Sequence, residues 1–434
     1  MILESHAPAG RRPARLLAGL ALVLGWACGV PARADCPCDT PSAEFAAERA
    51  GLVREWLVQV PFDAAAASVE HVVVDRDLVV VQTGDGNVIA VRAGAPREGE
   101  PLPGTILWKH PIDGRAGPFQ PAAIGDSLVA VAHGDGIHAF DRATGAELWS
   151  SRFSRLADTG PAVSAGWVYT PFGEGKLMRL PTNPFRRPTV EPAAPAVKGQ
   201  AAAKRQPGRQ GRKPGGTGPQ KVESLDPVVL EAAGAVSLQP ERFGAGVVWC
   251  TDDGTIVVLE PSGDGWRRND FFLDERPAGR PLVHDGAIFA CTAEGDLVRI
   301  DSLEEAAGNL RAAWRVFLDA VPEPTLFASG ERLVVPLGDD GLAAFSTKTG
   351  APLWRTSFRG RVVALAAGRI WLVDRVGRLV SLDLETAEPR GRHCLGGFTF
   401  PLVNQATDRL ILASPSGAVV SFAAPRPADP AQGG

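Results

Sequence analysis

From Gly125 to Trp149 the chain reads GDSLVAVAHGDGIHAFDRATGAELW, and its apolar positions fall into two short runs, Leu128 to Ala132 and Ile137 to Phe140. Gly-Asp opens the stretch, Gly134-Asp135-Gly136 separates the runs, and Asp141 to Gly145 turns the chain again towards Leu148-Trp149. Short β-rich runs divided by Gly/Asp turns predict an antiparallel meander. Gly330 to Trp354, GERLVVPLGDDGLAAFSTKTGAPLW, repeats the pattern with Thr-Gly and Trp in the same phase.

The glycine that closes the second turn serves as a phase marker. It recurs as Gly86, Gly136, Gly175, Gly254, Gly295, Gly341, Gly377 and Gly417, at steps of 50, 39, 79, 41, 46, 36 and 40 residues. The long step contains a low-complexity insert, and without it shrinks to about 42 residues. A period of about 40 to 45 with four strands per unit predicts propeller blades. Each blade presents two apolar faces that only its neighbours can cover, so the units stand or fall together. The expected fold is all-β: an eight-bladed propeller of four-stranded antiparallel blades, with seven blades plus decoration as the competing count. The last unit, Arg409 to Phe422, has no Trp-bearing strand after it, whereas Val53-Arg54-Glu55-Trp56-Leu57-Val58 stands before the first complete unit. Pairing these ends would close the ring and remove an open sheet edge.

The flanks read differently. Arg11, Arg12 and Arg15 precede an apolar run from Leu16 to Val30 and then Ala32-Arg33-Ala34. This is the order of a secretory signal peptide over residues 1–34, and the run is short for a membrane span, which needs roughly 20 apolar residues. Gly25-Trp26-Ala27 is a poor small-residue box before Cys28, so lipidation there is a minor alternative. Residues 35–51 form an N-terminal segment with a short helix expected from Ala43. The propeller is assigned to 52–423 and a flexible tail to 424–434. The expected location is exported, periplasmic or extracellular.

Charge singles out one segment. The chain carries −4 overall, yet Pro184 to Lys221 holds nine Lys or Arg against one acid, Glu191. With almost no large apolar residue it cannot bury enough surface to offset its ordering cost. It is expected to be a disordered basic insert of blade three, either a tolerated loop or a tether to an anionic surface. It lacks the aromatic residues that single-strand nucleic-acid binders stack on, so no specific nucleic-acid partner is expected.

Candidate chemistry is sparse. Cys250 and Cys291 each lie four residues before a marker glycine, which makes them equivalent packing positions, with an inter-blade disulfide as the alternative. Cys36, Cys38 and Cys394 complete the set left after cleavage, an odd number that leaves a thiol unpaired. His133, His138, His284 and His393 show no ligand spacing, and the Asp-Gly pairs 85-86, 135-136 and 253-254 are accounted for by turn geometry. No catalytic, cofactor or metal residues are assigned.

The repeat Gly-x-apolar-x-Gly-Asp-Gly-x-apolar-x-Ala-Phe/Leu-Asp-x-x-Thr-Gly-x-x-Leu-Trp resembles that of the pyrroloquinoline-quinone (PQQ) propeller family, from about Trp56 to Phe422. The resemblance implies that Trp56, Trp108, Trp149, Trp314 and Trp354 are outer-strand pegs between blades, with Trp266 a weaker match. It also implies two functional branches. One is the quinoprotein dehydrogenases, with quinone and Ca²⁺ in a central funnel. The other is non-enzymatic scaffolds such as the BamB-type envelope propellers. Short inter-strand turns, the absence of an adjacent Cys-Cys pair and the lack of a converging Glu/Asn/Asp set favour the scaffold. The expected function is a non-catalytic, cofactor-free scaffold for protein–protein or cell-envelope binding. The alternatives are a small PQQ/Ca-dependent oxidoreductase and a polysaccharide-binding propeller.

Overall fold

In the computed structural model the described residues are 51–112, 117–153, 155–182, 227–262, 265–303 and 309–425. The expected signal peptide, the N-terminal helix, the basic insert and nearly all of the tail lie outside them. The first described strand is β1 (Val53–Gln59). Blade one follows with β2 (Val69–Asp75), β3 (Leu78–Thr83), β4 (Asn87–Arg92) and β5 (Ile106–Pro111). Blade two holds β6 (Ala123–Ile124), β7 (Leu128–His133), β8 (Gly136–Asp141) and β9 (Glu147–Arg152). Blade three holds β10 (Ala162–Ser164), β11 (Trp167–Pro171), β12 (Lys176–Pro181) and β13 (Val228–Glu231), and blade four β14 (Glu241–Phe243), β15 (Gly246–Cys250), β16 (Thr255–Ser262) and β17 (Gly265–Phe272).

Blade five comprises β18 (Leu282–His284), β19 (Ala287–Cys291), β20 (Asp296–Ser302) and β21 (Leu310–Phe317). Blade six comprises β22 (Phe327–Ser329), β23 (Arg332–Pro336), β24 (Leu342–Ser346) and β25 (Pro352–Thr356). Blade seven comprises β26 (Arg361–Ala366), β27 (Arg369–Val373), β28 (Arg378–Asp383) and β29 (Pro389–Cys394). Blade eight has β30 (Leu410–Ala413) and β31 (Ala418–Ala423). Every pairing within a blade is antiparallel and sequential, and β1 pairs with β31 from Val53↔Ala423 to Gln59↔Ala418. The two ends of the chain therefore share one blade, as expected. A bidentate ion pair fastens them: Arg409 Nε and Nη2 lie 2.6 and 3.2 Å from the carboxylate of Glu55, which also accepts from Ser421 Oγ at 3.1 Å.

Blade eight departs from four regular strands. Its innermost segment is tied down at isolated points, by Phe400 N–H to Ala413 O at 3.0 Å and Asn404 N–H to Val363 O at 2.8 Å. Pro401 has no N–H to give to a ladder, and the segment bridges sideways to Ala364 of blade seven instead.

The buried apolar residues divide into eight clusters, and each is shared by two adjacent blades. Val129, Val131 and Phe140 of blade two pack on Val80, Ala90 and Trp108 of blade one. Leu410, Val420 and Phe422 of blade eight pack on Trp371 and Leu379 of blade seven, and Val419 and Ile411 on Val79 and Ile89 of blade one. Eight seams for eight blades leave no open end. Because both faces of the second and third strands are covered, β3, β4 and β7 are buried along their whole length, which explains continuous apolar runs where a half-wet sheet would alternate.

Candidate functional site

The first strands of blades one to five and the innermost segment of blade eight line a central channel that holds a cavity of about 410 Å³. Its wall is apolar where Val73, Ala123, Val163 and Val283 face it and polar at Asp75, Arg76, Gln239, Glu241, Arg242, Arg280 and Gln405. A smaller cavity of about 190 Å³ continues past Arg280, Pro324 and Gln405.

The polar groups of the channel are largely engaged with one another. Gln239 Nε2 donates to Pro161 O at 2.8 Å, and Gln405 Nε2 donates to Leu326 O. Arg280 pairs with Glu241 at 3.2 Å. On the side carrying the turns between first and second strands, Asp126 is shared by Arg242 at 3.1 Å and Arg76 at 3.4 Å. The hydrogen bond from Arg242, then the charges of Arg242 and Arg76, hold the Asp126 carboxyl below its ordinary range despite some burial. Arg142, from the Asp-Arg-Ala-Thr-Gly turn, bridges Asp75 at 3.1 Å and Asp77, and donates to Gly125 O at 2.6 Å. Burial raises the pKa of Asp77, but Arg142 and Arg92 outweigh it and the net direction is down.

This donor set bears on the quinone alternative. A hard divalent cation needs several free oxygen ligands, whereas Asp75, Asp126 and Glu241 are each held by an arginine. Among the described residues no group of three or more His, Cys, Asp or Glu could hold a metal ion. The residues lining the cavity include no Ser, Cys, His, Lys or Tyr. The residues present do not fit a calcium–quinone pair. What they can do is recognise charge and shape.

The marker glycines lie between second and third strands, except Gly136, which is the first residue of β8. Seven have positive φ, from +69° at Gly175 to +102° at Gly295. Gly136 does not, because the tight turn of blade two is Gly134-Asp135, with φ +56° at Gly134. The five tryptophans share one register on the outer strands. Trp56 pairs with Ser421, Trp108 with Ala90, Trp149 with Ala139, Trp314 with Arg299 and Trp354 with Ala344. Each packs forward into the seam with the next blade. Four indole N–H groups reach that blade's third-to-fourth strand turn: Trp108 to Arg142 O at 2.9 Å, Trp149 to Thr182 O at 3.3 Å, Trp314 to Thr347 O at 3.1 Å and Trp354 to Leu384 O at 3.1 Å. In each of the five strands the ladder slips by one residue beside the tryptophan. Such a bulge re-aims a side chain.

Trp266 is placed differently. It lies opposite Pro261 and packs backwards, against Trp167 of blade three, with Arg179 over both rings at 4.2 and 4.8 Å. The register that holds the tryptophans elsewhere is filled in blade four by Asn269, whose buried Nδ2 has no partner among the described residues. The chain pattern could not reveal this, because Trp266 precedes that register by only three residues.

Cys250 and Cys291 are buried and free. They occupy equivalent ends of β15 and β19, but Cys250 faces the seam of blades four and five and Cys291 that of blades five and six. Equivalent positions in a ring point into successive seams, so the inter-blade disulfide does not form. Burial pushes the Cys250 thiol up to about 12 and Cys291 further still. Cys394 is disulfide-bonded. No helix among the described residues is long and apolar enough to cross a membrane.

The family model described as outer membrane protein assembly factor BamB matches residues 97–182 and 306–421. No curated protein matches significantly. Among solved structures, BamB from Moraxella catarrhalis is similar at 15% identity and a TM-score of 0.59, over 87% of this chain and 99% of that one. The computationally designed Ika8 protein gives 13% identity and 0.56, over 86% and 100%. The C-terminal WD40 domain of Sif2 gives 11% and 0.54, over 86% and 98%.

Proposed function

We propose that this chain, a propeller of the PQQ-like repeat family, is an exported, non-catalytic scaffold that binds other proteins of the cell envelope through the turns of its faces. The observation that carries this reading is the state of the central channel. Its carboxylates are neutralised by arginines and its two glutamines are held by backbone carbonyls of other blades. Groups already engaged in this way are poor ligands for a cofactor, whereas the ring around them is a rigid mount for exposed turns. Such turns, fixed by a stiff framework, are where binding surfaces are usually built. The matched family description, an outer membrane protein assembly factor, supports the same direction by analogy of fold and repeat.

The test has two arms. The full-length chain is melted with PQQ and Ca²⁺ and assayed by dye-coupled oxidation of alcohols and sugars; an unchanged melting temperature and no oxidation are expected. A ligand at about 100 times its Kd would add roughly 2.7 kcal/mol, and such a saturable shift with turnover would overturn the reading. Photo-crosslinkers placed in the turns of either face, in cells that produce the protein, are expected to capture envelope proteins, and unlabelled chain should compete the capture away.

A further inference from the structure

The outer strands of a propeller are eight exposed sheet edges, and natural sheets blunt such edges with bulges or by keeping them short. Seven of the eight obey this here. β1, β5, β9, β21, β25 and β29 each carry a register slip, and β13 is four residues long. β17 has neither device and carries only the edge charges of Arg267, Arg268 and Asp270: it is eight residues long, Gly265 to Phe272, in unbroken register with β16 from Ser262↔Gly265 to Thr255↔Phe272. It has neither a forward tryptophan nor a bulge.

The ladder fixes which groups of β17 face outward. Leu273 N–H donates to Gly254 O at 3.0 Å. In an antiparallel ladder bonded and non-bonded residues alternate, so the N–H and C=O of Trp266, Arg268, Asp270 and Phe272 point away from β16. None of these groups has a backbone partner among the described residues. The side chains of the same four residues stand on one face. They read aromatic, basic, acidic, aromatic, symmetric about Asn269. Trp266 and Arg268 already lean on blade three, the first against Trp167 and the second donating to Glu231 O at 2.7 Å. Arg268 also contacts Asp270 at 2.8 Å, both about one-third exposed, while Phe272 is 64% exposed.

We propose that β17 is the surface through which two copies of this chain associate, edge to edge and antiparallel, about a twofold axis passing beside Asn269. In that register Arg268 lies opposite Asp270 of the partner subunit, and Trp266 lies opposite Phe272 of the partner subunit. The symmetry repeats both pairs, as an isologous contact requires. The four outward residues of each strand exchange about eight N–H···O bonds, and the two blades merge into one continuous sheet. Opposite charges and paired aromatics are the cross-strand neighbours that stabilise antiparallel strands. Any other extended segment would find the backbone groups but not this palindrome of side chains. A second copy is therefore the occupant that the charges select.

The full-length chain is followed by sedimentation and by light scattering on a sizing column, from about 1 μM to about 200 μM. A monomer–dimer equilibrium is expected, and a gel without reductant separates it from any disulfide-linked dimer. Arg268→Asp and Asp270→Arg each create two like-charge pairs by symmetry, and each should weaken dimerisation by about tenfold or more. The double variant, with both charges exchanged, restores opposite pairs and should restore the dimer. Phe272→Glu, at a largely exposed side chain, loosens the dimer without touching the charge pair. A chain that stays monomeric throughout, folded single variants that dimerise like the wild type, or a folded double variant that fails to recover would each overturn the proposal.

Discussion

Trp108 on β5 lies so close to Gly145, in the turn of the next blade, that a Cβ on that glycine would fall 2.5 Å from Cγ of the indole. Gly145 also holds φ at +70°, a conformation that costs any other residue energy. The Thr-Gly of one repeat and the Trp of the preceding repeat are thus two halves of one contact. Gly104 and Gly350 stand in the same relation to Trp56 and Trp314, at 2.8 Å each.

Gly145→Ala should therefore lower stability by about 2–4 kcal/mol, through strain and overlap together. Trp108→Ala should cost about 3–5 kcal/mol. The double variant should cost less than the sum, because removing the ring removes the overlap. Urea unfolding of the four proteins measures the coupling, and strict additivity would show that the two residues do not form a unit.

The pair joining Glu55 to Arg409 fastens the closing ladder of β1 and β31. Glu55→Ala leaves a half-buried guanidinium without its carboxylate and should cost about 1.5–3 kcal/mol. Hydrogen exchange should then rise first in β1 and β31. Uniform acceleration across all blades would argue against a local latch.

Burial raises the carboxyl pKa of Glu323, and Arg361 only partly opposes it. A carboxylate whose folded pKa lies above its unfolded value weakens the fold when charged. That cost is fully present above the folded pKa, shrinks as pH falls through it, and is gone below the unfolded value near 4.5. Glu323→Gln should thus stabilise the protein at neutral pH and lose its advantage near pH 4. Melting curves across that range would show the two proteins converging, and parallel curves would count against the assignment.

Cys250 and Cys291 are shut inside their seams with raised pKa values. Iodoacetamide should leave both unmodified in the native chain at neutral pH and label both once urea unfolds it, as read by peptide mass. Labelling of either in the folded protein would mean that its seam opens.

Asn269 offers the reverse case, an amide where other blades place a ring. Asn269→Leu should raise stability by about 1 kcal/mol by removing a buried donor with no partner. A loss in thermal or urea unfolding would mean that the amide is satisfied in solution.

What the sequence determined by itself was periodic and local. The spacing of Gly86, Gly136, Gly254 and their equivalents, the apolar runs between them and the stray Trp56 strand were enough to favour eight blades over seven and to point to their closure, because a turn residue and an apolar run act within a few residues of themselves. Trp149 and Trp354 keep one phase to the Thr-Gly before them, but the role of the five tryptophans as pegs came from the resemblance of the repeat. Only the tertiary structure decided what lies between repeats. That Cys250 and Cys291 face different seams, that Trp266 points backwards while Asn269 takes the forward register, and that Gln239 of blade four reaches Pro161 of blade three all depend on the rotation from one blade to the next. The same holds for Arg142, a turn residue in the sequence that in three dimensions bridges Asp75 and Asp77 of the preceding blade. Rotation about the ring axis leaves no trace in residue spacing, and the pairing of charges across the channel follows from it.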